Sequence, residues 1–393
     1  MSLTPLQKAL SVELHRILDY WVTVAIDKER GGVWGRINNY NQVFPQADKG
    51  VVLHARVLWT FSAAYPVVQD AQLRSLADDL FTYMDTYFWD AAQGGVYWSI
   101  TADGQPAATK KQVYAQAFAL YAFSEYYRLT GNAAAKHRCF ELYELIQLHS
   151  YDAAAGGYLE AFTAGWQPLD DLRLSAKDAN EKKTMNTHLH VLEAYTNLYR
   201  CWPDEELAGH LRSLLDLFYY KIIDRNTGHL QLFFDEHWQP KGDLISFGHD
   251  MEAGWLLLEA AEILNDAPLV IRFKALALQM TQAVLKGIDG DGGLWYEYDR
   301  VTKKLIKEKH WWPQAEALVG FINAWQISGD TKYADHALYT WQFIQQHMID
   351  TKGGEWFWGV RDDYSIMNED KVGLWKCPYH NGRACMEGMR RLG

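Results

Sequence analysis

The stretch DKERGGVWG at residues 27–35 decides the fold, because it recurs. An aspartate, a few small or polar residues, one or two glycines and then an aromatic or apolar run return as DAAQGGVYW from Asp90 and DAAAGGYLE from Asp152. They return again as DRNTGHLQLFF from Asp224, DGDGGLWYEY from Asp289 and DTKGGEWFWG from Asp350. With the first glycine of each as a marker (Gly31, Gly94, Gly156, Gly228, Gly292, Gly353), the intervals are 63, 62, 72, 64 and 61 residues. Six copies at a near-constant period in 393 residues mean one supersecondary unit repeated six times, and internal repetition outranks any domain count based on length. The chain is read as one unit, residues 1–393.

Between the turns the chain reads as helix. VLHARVLWTFSAAYPVV (Val52 to Val68) and AQLRSLADDLFTYMDTYFW (Ala71 to Trp89) place apolar residues three and four apart, and later units repeat the pattern. Each unit is therefore a helix pair, with the glycine turn as a short β-hairpin at one end. Twelve helices without strand–helix alternation form an open solenoid or a closed ring. Six apolar-rich units favour closure, so the expected fold is all-α, an (α/α)6 barrel with six inner and six outer helices.

Composition narrows the function. The net charge is −11, with no long basic run, which argues against nucleic acid as a partner. No stretch reads as a membrane span, and the N-terminal segment lacks the apolar core of a signal peptide, so a soluble cytoplasmic protein is expected. The four cysteines, Cys139, Cys201, Cys377 and Cys385, form no CxxC pair and suit a reducing compartment. The aromatic load, 17 Trp, 23 Tyr and 16 Phe, is mostly core, yet flat aromatic faces also stack on sugar rings.

In a barrel, matching positions of successive units converge on one end of the cavity. Arg56, Tyr114, Asn186, His190, His249, Trp312 and His380 all lie 20 to 34 residues after their marker glycine, near the start of the first helix of the next pair. His190 follows Asn186 by one helical turn, and Glu252 lies three residues after His249, close enough for its carboxylate to orient that imidazole. His188 and His190 point roughly 200° apart on a helix and cannot chelate one ion, so no metal is expected. Two polar segments, before Asn186 and before His249, read as loops that roof the pocket.

Two carboxylates flanking a bond would indicate glycoside hydrolysis, and Asp178, Glu252 and Glu316 lie near the pocket. The histidines are the richer set. Imidazoles titrate near neutrality and both take and return a proton, which suits proton transfer at a carbon next to a carbonyl. Arg56 and Asn186 would then stabilise the charge that develops on the enediol oxygens. No phosphate loop or dinucleotide fingerprint appears, so the expected chemistry needs no cofactor.

At these residues the chain resembles the N-acylglucosamine 2-epimerase superfamily, and within it the cellobiose 2-epimerases. The resemblance rests on KGVVLHARVLWTF, MNTHLHVLEAYTNLYRCWP, FGHDMEAGWLLLEAAE, WWPQAEALVGF and LWKCPYHNGRACME, and covers essentially the whole chain. It implies an (α/α)6 barrel that interconverts glucose and mannose at the reducing end of a β-1,4-linked disaccharide through a cis-enediol. It further implies that His249 and His380 are the acid/base pair at C2 and that His190 supports ring opening. Arg56 and Asn186 would bind the O1 to O3 region, and Glu252 would partner the second histidine. Tyr114, Trp312 and Trp375 would contact the sugar, and Asp178 would face the non-reducing unit. A monomer acting on disaccharides such as those from plant mannan is expected. A monosaccharide epimerase or isomerase, a glycoside hydrolase and a plain sugar-binding protein are the competing readings.

Overall fold

The structure, a computed structural model, describes residues 3–393. Twelve α-helices occur among the described residues: α1 (Thr4–Thr23), α2 (Val51–Val68), α3 (Ala71–Tyr83), α4 (Val113–Thr130), α5 (Ala133–Ser150), α6 (Met185–Cys201), α7 (Glu205–Leu217), α8 (Phe247–Ile263), α9 (Ala267–Val284), α10 (Trp311–Ser328), α11 (Thr331–Phe343) and α12 (Tyr379–Leu392). The even-numbered helices each pack on the next, and α12 packs on α2, closing an inner ring of six. The odd-numbered helices form the outer layer, which makes the (α/α)6 barrel that the repeat predicts.

Five units run inner helix to outer helix through turns of two or three residues. A left-handed residue ends the inner helix in several of them (Gln69, Gly131, Gly329), and an aspartate or asparagine caps the outer one (Asp70, Asn132, Asp204, Asp266, Asp330). The sixth pair differs from a simple sixfold reading: its outer helix is α1 and its inner helix is α12, so the two ends of the chain close the barrel. Inner helices are buried on nearly all sides, whereas α3 buries only a stripe of Leu73, Ala77, Leu80, Phe81 and Tyr83. Helix α2 is long and apolar enough to cross a membrane by length and composition, but it is an inner-ring helix, 72% buried in the barrel.

The recurring aspartate has a structural reason. Asp27, Asp90, Asp152 and Asp289 each accept from a lysine placed two residues before an inner helix (Lys49, Lys111, Lys183, Lys309) at 2.7–2.8 Å, and Asp350 pairs with Lys371. The pairs bolt down five of the six hairpins, whereas Asp224 has Arg300 at 4.0 Å in place of a lysine. The fourth residue of the inner helix adds a second bolt. His54, Gln116, His188 and Gln314 accept from the hairpin N–H of Val33, Val96, Tyr158 and Leu294, and Asp250 accepts from Leu230 N–H. This explains the paired glycines, since a Cβ at Gly32, Gly95 or Gly157, all at positive φ, would lie 2.8, 2.7 or 2.6 Å from that fourth side chain. The N-termini of α2, α4, α6, α8 and α10 are thereby fixed at the hairpin end of the barrel.

Candidate active site

Aligned on their first residues, the inner helices build the site in layers. Second residues supply Tyr114, Asn186, Trp312 and His380; sixth residues, one turn deeper, supply Arg56, His190, Glu252 and Glu316. His249 is the third residue of α8, and Arg383 is the fifth of α12. The deep layer is buried, while Asn186, His249, Trp312 and Trp375 are partly open, so solvent reaches the site at the hairpin end.

Each of the three histidines has a fixed Nδ1. His380 bonds Glu316 Oε1 at 2.7 Å, His190 bonds Glu193 Oε2 at 2.9 Å, and His249 bonds Ser246 Oγ at 2.8 Å. With the carboxylates ionised, Nδ1 of His190 and of His380 carries the proton, and Nε2 is the free base. The Trp312 ring touches both His249 (4.6 Å) and His380 (5.6 Å), and His190 lies edge-on to Tyr114 at 5.0 Å. Burial lowers His249 to about 3, helped by the neighbouring charges of His190 and His380. Burial likewise lowers His380 to about 3 against the opposing pull of Glu316, and lowers His190. All three are neutral bases near pH 7.

Arg56 donates from Nη2 to Tyr114 Oη at 2.7 Å and lies over the Phe118 and Tyr379 rings, while its Nε is buried with no partner. Asn186 Oδ1 is a second buried polar atom without a partner. Unspent hydrogen-bonding capacity at the two residues expected to bind sugar hydroxyls is what a polar ligand would satisfy. Trp375 stands beside Tyr114 (6.1 Å) and Trp98 (5.9 Å), forming an aromatic wall.

The pairing of Glu252 with His249 expected from their spacing is corrected. Its carboxylate does not orient His249; it turns to the barrel axis and accepts from Arg383 Nη2 at 2.6 Å, and it stands 3.9 Å from His380 Nδ1, behind the closer Glu316. It is buried in the same layer as Arg56 and His190. The reason is helical phase: His249 sits in the first turn of α8 beside Ser246, whereas Glu252 falls on the axial face with Glu316 of α10. Asp178 lies in the loop before α6 with its carboxylate accepting from Ser175 N–H and Oγ (2.8 and 2.9 Å), and its charge reaches Glu160, Tyr296 and Glu297. Sequence reasoning missed Glu193, Ser246, Tyr379 and Arg383. The spacing of His190 and Glu193, three apart on one helix, was the available signal for the first.

Glu252, Glu316 and His380 place ligand atoms within 4.8 Å of one another, a spacing that would suit a metal ion. The Arg383 guanidinium already donates to both carboxylates, so the triad is filled by a cation of the chain itself.

Residues 32–384 match the family model of the N-acylglucosamine 2-epimerases. The chain is 46% identical to a cellobiose 2-epimerase of Bacteroides fragilis over 383 residues, 97% of each protein. It is 38% identical to one of Ruminococcus albus over 377 residues, 95% of this chain and 96% of the relative. Among solved structures, the cellobiose 2-epimerase of Bacillus thermoamylovorans superposes with a TM-score of 0.93 at 38% identity, covering 98% of this chain and 99% of the other. The chain belongs to the N-acylglucosamine 2-epimerase family.

Proposed function

We propose that this protein is a cofactor-independent epimerase that interconverts glucose and mannose at the reducing end of β-1,4-linked disaccharides. The observation that carries the reading is the pair of neutral imidazoles, His249 and His380, both against the Trp312 ring, with buried Arg56 in their field. The likeness to cellobiose 2-epimerases over almost the whole chain supports the disaccharide as substrate.

Ring opening moves the O1 proton to the ring oxygen and leaves an aldehyde, a step supported by His190. One imidazole of the His249/His380 pair then takes the C2 proton. The resulting cis-enediolate is stabilised by Arg56, Asn186 and the positive ends of the inner helices. The opposite imidazole, neutral before reaction, draws a proton from water once the enediolate's negative charge lies beside it and returns it to the other face of C2, while the first imidazole releases its own to water, so the substrate gains and loses one proton per turnover. Trp312, Trp375 and Tyr114 hold the sugar rings by their apolar faces, and Asp178 addresses the non-reducing unit from its loop.

The reading places the enzyme in the cytoplasm, as a monomer, acting on disaccharides released from plant mannan. Its four free cysteines accord with a reducing compartment. Initial rates on cellobiose, mannobiose, lactose, glucose, mannose and N-acetylglucosamine test it. A disaccharide should exceed every monosaccharide in kcat/KM by at least tenfold. Preference for a free monosaccharide overturns the substrate, and release of monosaccharide units overturns the reaction.

A further inference from the structure

We propose that Arg383 is a positioning residue: its guanidinium is the shared counter-ion of Glu193 and Glu316, the carboxylates on which His190 and His380 are seated. The proposal deepens the epimerase reading and rests on it for its kinetic test.

The geometry is a fork. Arg383 Nη1 donates to Glu193 Oε1 at 2.5 Å and to Tyr379 Oη, while Nη2 donates to Glu316 Oε1 at 2.7 Å and to Glu252 Oε1 at 2.6 Å. Tyr379 Oη also donates to Glu193 Oε1 at 2.5 Å. Three inner helices (α6, α8, α10) thus present a carboxylate each to one cation on a fourth, α12. Arg383 follows His380 by three residues, so one helix turn carries both the imidazole and the cation that holds its partner. Arg383 is 2% exposed, with its guanidinium packed against the Trp255 and Tyr379 rings.

Charge decides what this does. Three carboxylates brought together out of water repel, and burial alone would drive each to its neutral form. Glu252 is driven that way, up to about 8, by burial and by the charge of Glu316. Glu316 is not: burial pushes it up, but Arg383 foremost, then His380, hold it at about 2. Glu193 is likewise raised by burial and brought below its ordinary value by Arg383 first and His190 next. The groups facing Arg383 are Glu193, Glu252, Glu316, Tyr379 and His380, with Tyr121 of α4 and Arg56 of α2 in the same field. Remove the guanidinium, and this set takes up a proton near neutrality that the intact network excludes. Whether it settles on Glu316, Glu193 or an imidazole, the histidine served by that carboxylate no longer presents a fixed, free Nε2.

The test uses R383Q and R383K in the full chain. Lysine keeps the charge and so protects the fold, but a single ammonium does not reproduce two nitrogens reaching Glu193 and Glu316 from different sides. In R383Q kcat should fall roughly 10² to 10⁴-fold, the usual reach of one general acid–base group, with KM within about threefold. Its acid limb should move to higher pH by at least one unit. R383K should lie between wild type and R383Q in both respects. If R383Q does not fold, R383K carries the test. Wild-type kcat with an unmoved acid limb in a folded variant overturns the proposal, as does a rise in KM alone, which would make Arg383 a sugar ligand. ¹⁵N NMR of the imidazoles without substrate separates this idea from the epimerase reading: His190 and His380 should be Nδ1-protonated in wild type and change tautomer or charge in the variants. Unchanged imidazole signals overturn the proposal even if the protein acts on another sugar, and wild type without epimerase activity overturns the epimerase reading alone.

Discussion

Replacing Glu316 by glutamine is the most informative single change, because shape is kept and only the charge and half of the accepting capacity are lost. Glu316 Oε1 accepts from His380 Nδ1 and Arg383 Nη2, both at 2.7 Å, and Oε2 accepts from Trp255 Nε1 at 3.0 Å. An amide cannot satisfy both sides. If its oxygen serves His380 and Arg383, its NH2 faces the Trp255 N–H, and a buried donor left facing a donor costs about 1–3 kcal/mol. If the amide flips, Trp255 is satisfied, but the NH2 now faces Arg383 and donates to His380 Nδ1, which forces the proton onto Nε2 and removes the free base. The wrong tautomer stops proton transfer outright, and mixed occupancy reduces it in proportion. The expected loss in kcat is roughly 10² to 10⁴-fold, with KM within about threefold. Removing the anion also removes what pulls the His380 pKa up, so its value falls further and no pH restores activity. Epimerisation of cellobiose followed by chromatography, beside circular dichroism to confirm the fold, reads the outcome. An E316Q protein within threefold of wild-type kcat would refute the assignment of Glu316 as the group that fixes His380.

H249A and H380A should each lower kcat at least about 10³-fold while remaining folded, since the two imidazoles are the proposed bases; near-normal turnover on cellobiose would remove that residue from the mechanism. Stability should rise with pH from about 3 to 6.5, because His54 and His380 are held at about 3 and His188 at about 4 against roughly 6.5 when unfolded. The unfolded chain binds more protons through that window, so urea midpoints should drop as pH falls through it; a flat profile would contradict the depressed values. H54Q should soften that acid limb and cost less than about 1.5 kcal/mol, because Gln116 and Gln314 already make the same hairpin bonds at the equivalent place in their units. K111M should cost about 3–5 kcal/mol by urea unfolding, as it leaves Asp90 buried without its cation.

The barrel was legible because its period is written in small, conformationally demanding residues. Asp27 and four of its five equivalents meet a lysine, and Gly32, Gly95 and Gly157 must clear a side chain from the next helix, so both leave a mark at fixed intervals. His190, His249, His380, Arg56 and Tyr114 were legible for a related reason: only the N-terminal turns of the inner helices face the opening, so polar residues there stand out against an apolar run. The carboxylates behind them were not. Glu316 reaches His380 across 64 residues of sequence, and Glu193 meets Arg383 across 190, contacts that exist only once the ring has closed. Spacing on a single helix pairs His249 with Glu252, and the closed barrel separates them, because Arg383 from α12 offers Glu252 a charge and Ser246 already occupies His249 Nδ1. The sixfold count also hides that the sixth pair is made of the two ends of the chain. Its seam is sealed by Glu355, which accepts from Lys376 and Asn381, and by Glu13, which accepts from Trp356.

The central claim is proton removal from C2 of the reducing sugar and its return on the other face. The direct measurement is proton NMR of cellobiose incubated with the protein in heavy water, with the products separated by chromatography. The account predicts a glucosyl-mannose disaccharide carrying deuterium at C2 of the mannose. A mannose-ended product that keeps protium at C2, or free glucose in its place, would contradict it.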